Sequence, residues 1–342
     1  MRVVPGVKPV REEFPSDKPS EKSSGTSLSD VPLDSNAMRH YLSVDDLSTT
    51  ELPDLLDLAA ALKEDRGAHA QALAGRSVAL IFEKPSTRTR VSFEVGVEQL
   101  GAHPVVLSSA ELQLGRGETI QDTGRVLSRY VDAIVLRTFE QERLEILSTT
   151  ATVPVINALS DFEHPCQALA DLLTIQEHLG DLHGRVLTYL GDGNNVAHSL
   201  LLAGTKAGMA VRVATPPGFE PIPQVVHRAE EIAAETGGSV ELTHDPEGAA
   251  IGAHVLSTDV WTSMGQDLEA DERALVFPSY QLGQKLVDLA DPGVIVLHCL
   301  PAHRGQEITD EVIDGPRSVV WDQAENRLHT QKALLLRLFG VA

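Results

Sequence analysis

The densest chemistry in the chain is Ser86-Thr87-Arg88-Thr89-Arg90, which sets three hydroxyls and two guanidiniums in five residues. It follows an apolar run, 77–82, that reads as a buried strand, and then a turn at Pro85. Ser86 suits an N-cap, which places Thr87, Arg88 and Thr89 in the first helical turn, where backbone N–H groups lack partners. Free N–H groups, hydroxyls and a guanidinium at a helix start make an anion site, and arginine matches phosphate oxygens in pairs. Two weaker motifs fit beside it. His164-Pro165-Cys166-Gln167 opens another helix with proline at a favoured position. Its imidazole and amide could hold a carbonyl oxygen and an amide. Arg137 ends a strand, in Val135-Leu136-Arg137-Thr138. With Arg88 and His164 it completes a cationic pocket for a doubly charged phosphate with a carbonyl neighbour.

Three further motifs lie later in the chain. Gly191-Asp192-Gly193-Asn194-Asn195 looks like half of a dinucleotide turn, but position 196 is Val and no ribose-binding acid follows the next strand, which ends Ala214-Thr215-Pro216. This speaks against NAD, and the asparagines better suit a carboxylate or amino group. Asp259 begins the run to Gly265. An acid at a strand end can hold an ammonium group, and Ser263-Met264-Gly265 could cover an aliphatic chain, with glycine supplying backbone freedom. His298-Cys299-Leu300-Pro301 offers a cysteine that reads as a metal ligand, a nucleophile or a polar site residue. The histidines nearby lack the spacing a structural zinc site needs.

The elements that position these motifs alternate. Helical spacing covers 44–70, 87–100, 165–179, 196–207, 224–236 and 323–340, while apolar runs mark strands at 77–82, 104–107, 133–136, 153–156, 186–190, 210–214, 255–258 and 294–298. This alternation predicts an α/β protein with two doubly wound parallel-sheet domains, the second Rossmann-like, joined by helices near 170–185. Ligands in such sheets bind beyond the carboxyl ends of the strands, where these motifs fall. Residues 1–37 differ, with five prolines, many serines and no periodicity. They read as a disordered extension or an expression tag, and they stand outside the fold.

Composition sets limits. The chain has 342 residues and a formal net charge of −21, which argues against binding nucleic acid or anionic membrane. Hydrophobic residues reach 42% with aromatics at only 4%, so Ala, Val and Leu must fill the core. Two cysteines make no disulfide framework, no run of 18 apolar residues occurs, and the N-terminus has no secretory apolar segment. A cytoplasmic protein is the expectation.

In order, these motifs resemble the carbamoyltransferase family. S-T-R-T-R and H-P-C-Q resemble its carbamoyl phosphate half, and D-x-W-x-S-M-G and H-C-L-P resemble its ornithine branch. The resemblance covers Met38 to Phe339 and implies transfer of a carbamoyl group from carbamoyl phosphate to L-ornithine, a step of arginine biosynthesis, with no cofactor or metal. It implies a carbamoyl phosphate-binding domain at 38–175, an ornithine-binding domain at 176–322, and a helix at 323–342 that packs back on the first.

It also implies roles. Ser86, Thr87, Arg88 and Thr89 hold the phosphate; Arg137, His164 and Gln167 hold the carbonyl and amide. Asn195, Asp259, Ser263 and Met264 bind the amino acid, and Cys299 and Leu300 sit between the ligands. Arg327 completes the carbamoyl phosphate site from the last helix. Gln113 resembles a loop residue that a homotrimer donates into the neighbour's site. The attacking amine must lose a proton that it holds in water up to about pH 10.4. Arg88 stabilises developing charge, while Cys299, Asp259 and the leaving phosphate all remain open as proton acceptors. Aspartate as acceptor is the nearest alternative. A NAD-dependent dehydrogenase and a silent binding protein are the more distant ones.

Overall fold

The computed structural model describes residues 40–108, 117–262 and 270–341, so the expectations for 1–37, Gln113, Ser263 and Met264 lie outside the described residues. In chain order the elements of the first half are α1 (Glu51–Glu64), β1 (Ser77–Phe82), α2 (Thr87–Gln99), β2 (His103–Ser108), α3 (Ile120–Leu127), β3 (Ala133–Arg137), α4 (Gln141–Thr150), β4 (Val155–Leu159) and α5 (Pro165–Leu179). The second half has β5 (Val186–Leu190), α6 (Asn195–Lys206), β6 (Ala210–Ala214), α7 (Pro223–Thr236), β7 (Ser239–Thr243), α8 (Pro246–Ala250) and β8 (Val255–Thr258). It continues with α9 (Ala270–Val276), α10 (Gln284–Leu289), β9 (Ile295–His298), α11 (Asp310–Ile313) and α12 (Val320–Leu338).

The strands form two sheets of orders β2-β1-β3-β4 and β7-β6-β5-β8-β9, with every pairing parallel. Both are α/β layers whose central strands are buried apolar runs, as covering by helices on both faces requires. In each sheet the order reverses between two neighbours, β1 and β3 in the first and β5 and β8 in the second. Such reversals open a crevice at the carboxyl ends. Register aligns the ends. Phe82 faces Arg137 across β1–β3, Leu190 faces Thr258, and Thr258 faces His298. Hence Asp259 and Cys299, each one residue past its strand, emerge side by side.

The last helix returns. α12 packs on α1, α2 and α5 of the first half and touches β9 of the second. One contiguous core joins Leu52, Phe93 and Leu169 to Leu334, Leu201 and Val211. No helix among the described residues is long and apolar enough to cross a membrane.

The structure corrects three expectations. The single helix expected at 44–70 is instead a 3-10 turn, Val44–Asp46, followed by α1. Ser43 and Asp46 close a capping box on the turn, and Leu47 then takes an extended conformation that breaks the helix. The strand expected at 153–156 starts later, at Val155, because Pro154 has no N–H to give the ladder. The final helix starts at Val320 rather than 323. The edge strand β7 has no apolar run, and α3, α4 and the short helices α8 to α11 fall where the sequence reading places no element.

Candidate active site

A cleft of about 1030 Å³ runs between the two crevices. On the first wall, Ser86 caps α2 by accepting from the Thr89 N–H at 3.2 Å. Ser86, Thr87 and Arg88 line the cleft, whereas Arg90 turns outward to Glu94 at 3.2 Å. Arg137, at the end of β3, is buried, and its Nε has no partner among the described residues. Arg327 reaches in from α12 and is also buried. Its Nη1 donates to Gln167 Oε1 at 2.9 Å, and its Nη2 donates to Thr89 Oγ1 at 2.7 Å.

His164 is the N-cap of α5, and its own N–H donates to Ser199 Oγ of α6 at 2.8 Å. Arg327 Nη1 lies 3.5 Å from His164 Nε2. Arginine only donates, so this nitrogen accepts and the neutral ring carries its proton on Nδ1. Burial, then Arg327, Arg137 and Arg88, push the His164 pKa well below the usual histidine range. The arginines feel the same field. Arg137 is lowered to about 10 by burial and then by Arg327, and Arg88 is lowered by burial. Three guanidiniums in one crevice of an acidic chain form a local cationic focus that a bound anion would relieve. The unpartnered Arg137 Nε, His164 Nδ1 and Arg327 Nε point the same way, since buried donors without acceptors are costly.

The opposite wall carries acid. The Cys299 thiol donates to Asp259 Oδ1 at 3.0 Å, and Asn194 Nδ2 donates to Asp259 Oδ2 at 3.2 Å. Burial and the Asp259 carboxylate push the thiol well up, so it stays protonated. Asn194 is the N-cap of α6, accepting from the N–H groups of Val196 and Ala197. Asn195 lines the cleft, with its amide nitrogen 2.6 Å from the Ser160 carbonyl of the first half. Leu300 lies beside Cys299 with φ +57, a left-handed conformation costly for a branched side chain, and a cis peptide to Pro301 follows.

Asp259, His298 and Cys299 bring one ligand atom each within 4.8 Å of one another. They do not fit a metal. His298 Nδ1 accepts the Leu300 N–H at 2.9 Å, so its Nε2 carries the proton and donates to Glu307 at 3.1 Å. Neither ring nitrogen keeps a lone pair for a metal, because one accepts the Leu300 N–H and the other donates to Glu307. Nor is the glycine-rich turn shaped for a dinucleotide. A Cβ on Gly193 would meet Pro221 N at 2.3 Å, and the Gly193 N–H donates to Phe219 O at 2.8 Å. The chain's own backbone takes the close approach that the glycine permits.

Several residues here were missed by sequence reasoning. Lys84, buried on the first wall, pairs closely with Asp161 and lies 4.3 Å from the Phe139 ring centroid. Asp171 accepts from both Gln167 and Gln323, and Arg273 Nη1 joins Asp192 to the Trp261 carbonyl, at 2.7 Å each. Helical spacing carried a usable signal for two of them, because Asp171 lies four residues after Gln167 and Gln323 four before Arg327.

Comparison with known proteins matches each half of the chain to its own family model. Residues 39–177 match the family description "Aspartate/ornithine carbamoyltransferase, carbamoyl-P binding domain", and residues 183–338 match "Aspartate/ornithine carbamoyltransferase, Asp/Orn binding domain". The chain is 65% identical over 300 residues to an ornithine carbamoyltransferase of Parafrankia sp. (strain EAN1pec), covering 87% of this chain and 95% of that one. It is 59% identical to one from Acidothermus cellulolyticus, covering 89% and 98%. Among solved structures, the ornithine carbamoyltransferase from Pyrococcus furiosus superposes with a TM-score of 0.86 at 55% identity, covering 90% of this chain and 98% of that one. A fold of two parallel α/β sheets, a cationic wall facing an acidic one, and two matched domains spanning nearly all of residues 39–338 together place the chain in the aspartate/ornithine carbamoyltransferase family.

Proposed function

We propose that the protein transfers the carbamoyl group of carbamoyl phosphate to the side-chain amine of L-ornithine, giving L-citrulline and phosphate. The observation that carries this is the polarity of the cleft, with three arginines on one wall and the Cys299–Asp259 pair on the other. The identity to ornithine carbamoyltransferases supports the acceptor. So does the acidity of the second wall. An aspartate acceptor would need a cation for its second carboxylate, and Arg273 on that side is already paired with Asp192.

In this reading, residues 38–175 bind carbamoyl phosphate with 323–342 packed back on them, and residues 176–322 bind ornithine. Ser86, Thr87, Arg88 and Thr89 take the phosphate at the start of α2. Arg137, Arg327, His164 and Gln167 take the carbonyl and amide, with His164 acting as a neutral hydrogen-bonding group. Asn195, Asp259, Ser263 and Met264 hold the amino acid, and Cys299 and Leu300 lie between the ligands. The neutral amine attacks the carbonyl carbon, a C–N bond forms, and the C–O bond to phosphate breaks. Arg88 and Arg137 stabilise the growing oxyanion and the departing phosphate.

The Cys299 thiol already directs its proton at Asp259. A relay that preserves this geometry moves the amine proton to the Cys299 sulfur while the thiol proton passes to Asp259. The reading further includes a homotrimer with Gln113 donated to a neighbour, a cytoplasmic location, and a place in arginine biosynthesis.

The test is ureido-product formation at fixed carbamoyl phosphate with L-ornithine or L-aspartate as acceptor. Turnover with ornithine is expected. Turnover with aspartate alone would overturn the reading of the second wall, and silence with both would overturn the reaction.

A further inference from the structure

Behind the cleft lining, next to Arg327, lies a buried relay of side chains with one carboxylate at its centre. Asp171 lies on α5, one turn after Gln167, and is almost wholly buried. Gln167 Nε2 and Gln323 Nε2 both donate to Asp171 Oδ1, each at 2.7 Å. At its other end each amide meets a group that can only donate. Arg327 Nη1 donates to Gln167 Oε1 at 2.9 Å, and the His298 backbone N–H donates to Gln323 Oε1 at 2.8 Å. A carboxamide between an obligate donor and an obligate acceptor has one satisfied orientation, and flipping it sets donor against donor at one end and acceptor against acceptor at the other. Removing the acceptor removes the reason for either orientation.

We infer that Asp171 is a positioning residue of the transfer reaction: as the shared acceptor it fixes the flip of Gln167, so that the amide oxygen faces Arg327 and the bound carbamoyl group, and the flip of Gln323, which holds the strand end leading into Cys299. This rests on the carbamoyl transfer proposed above and deepens it. The two glutamines lie on the two walls' supports, α5 below the arginines and α12 below β9. One carboxylate therefore registers the carbamoyl phosphate side against the Cys299 side. Gln167 and Gln323 meet no other acceptor at these nitrogens among the hydrogen bonds of the described residues.

The charge of Asp171 is also within reach of titration. Burial pushes its carboxyl up to about 6, against the lowering pull of the Gln167 and Gln323 hydrogen bonds and of Arg327, with Asp259 adding a smaller upward push. The charged or titratable groups that face it are Arg327 from α12, Asp259 beyond β8 and Cys299 beyond β9. A protonated Asp171 keeps an acceptor oxygen but loses its charge, which is the state that asparagine imitates.

The experiment compares wild type, Asp171→Asn and Asp171→Ala in citrulline formation with carbamoyl phosphate varied, from pH 5 to pH 8. Asp171→Ala removes the acceptor, and kcat/KM for carbamoyl phosphate falls by about tenfold or more, the scale of a lost hydrogen bond to a charged group. Asp171→Asn keeps the oxygen and recovers part of that loss, remaining roughly three- to tenfold below wild type at pH 8. The ratio of wild type to Asp171→Asn then shrinks toward one as pH falls through about 6. Titration of the substrate cancels in that ratio.

Asp171→Ala within twofold of wild type, with unchanged circular dichroism, overturns the inference. If the alanine variant does not fold, the asparagine ratio decides, and a ratio constant across the pH range overturns it. Wild-type protein that makes no citrulline sinks the underlying reaction instead, so the two failures are distinct.

Discussion

Replacing Arg327 with lysine separates the forked geometry of the guanidinium from its charge. Arg327 is buried, and its two terminal nitrogens serve different partners, Gln167 Oε1 at 2.9 Å and Thr89 Oγ1 at 2.7 Å. These partners belong to different helices, α5 and α2, so the fork also ties the start of the phosphate helix to the amide beneath the carbamoyl group. An ammonium gathers its donors on a single nitrogen at the end of a flexible stem and does not reproduce the two separately aimed nitrogens of the fork. The charge therefore survives and one charged hydrogen bond is lost, at a cost of about 1.5–3 kcal/mol. On the transition-state scale this is a fall of roughly 10- to 150-fold in kcat/KM for carbamoyl phosphate. Citrulline formation at saturating ornithine reads it directly, with KM for ornithine as the internal control. A kcat/KM within threefold of wild type in folded protein would refute the reasoning, because it would mean that charge alone does the work assigned to the fork.

Three other outcomes follow from the same structure. Gly193→Ala sets a Cβ 2.3 Å from Pro221 N and 2.4 Å from Glu220 C, which are backbone atoms that cannot swing away, so urea unfolding should show a loss on the order of 2 kcal/mol or more. Unchanged stability would mean that the 218–221 backbone moves freely. Burial pushes the Glu163 carboxyl from 4.5 to about 7, despite hydrogen bonds from Ser43 and Val44 that lower it. The folded chain thus holds a proton that the unfolded chain has already lost between those values. Its stabilising effect is full below pH 4.5 and is lost as pH rises through about 7. Glu163→Gln should therefore gain melting temperature relative to wild type as pH rises from 5 to 8, and a constant difference would contradict the shift. Finally, burial and Asp259 raise the Cys299 thiol well up, and burial raises the Cys166 thiol to about 12. At pH 8 native protein should be alkylated by iodoacetamide far more slowly than urea-unfolded protein, and fast labelling of Cys299 by mass spectrometry would show a thiolate that the relay cannot use.

What was legible in the sequence, and what was not, divides along one physical line. Parallel strands are buried on both faces, so β1, β3, β5, β8 and β9 read as apolar runs, and chemistry must collect at their ends. Ser86, Arg137, Asp259 and Cys299 were therefore readable as candidate site residues from position alone. Strand β7 escaped because it lies at the sheet edge and is half exposed, which leaves it no apolar run to find. The break in the expected 44–70 helix escaped because the apolar spacing continues through it while Ser43 and Asp46 cap only the first turn.

The deeper gap is between motifs and their neighbours. Nothing local joins Gln167 to Arg327, which are 160 positions apart, or Asp171 to Gln323, 152 apart. Those contacts exist because α12 packs back along α5, and that packing is driven by apolar residues such as Leu334 and Leu335 that carry no chemistry themselves. Once the helices are paired, the polar logic is forced. Arg327 and the His298 N–H can only donate, so the carboxylate between them must accept for both glutamines. A residue without a reactive role in the sequence thereby becomes the one on which the orientation of both walls depends.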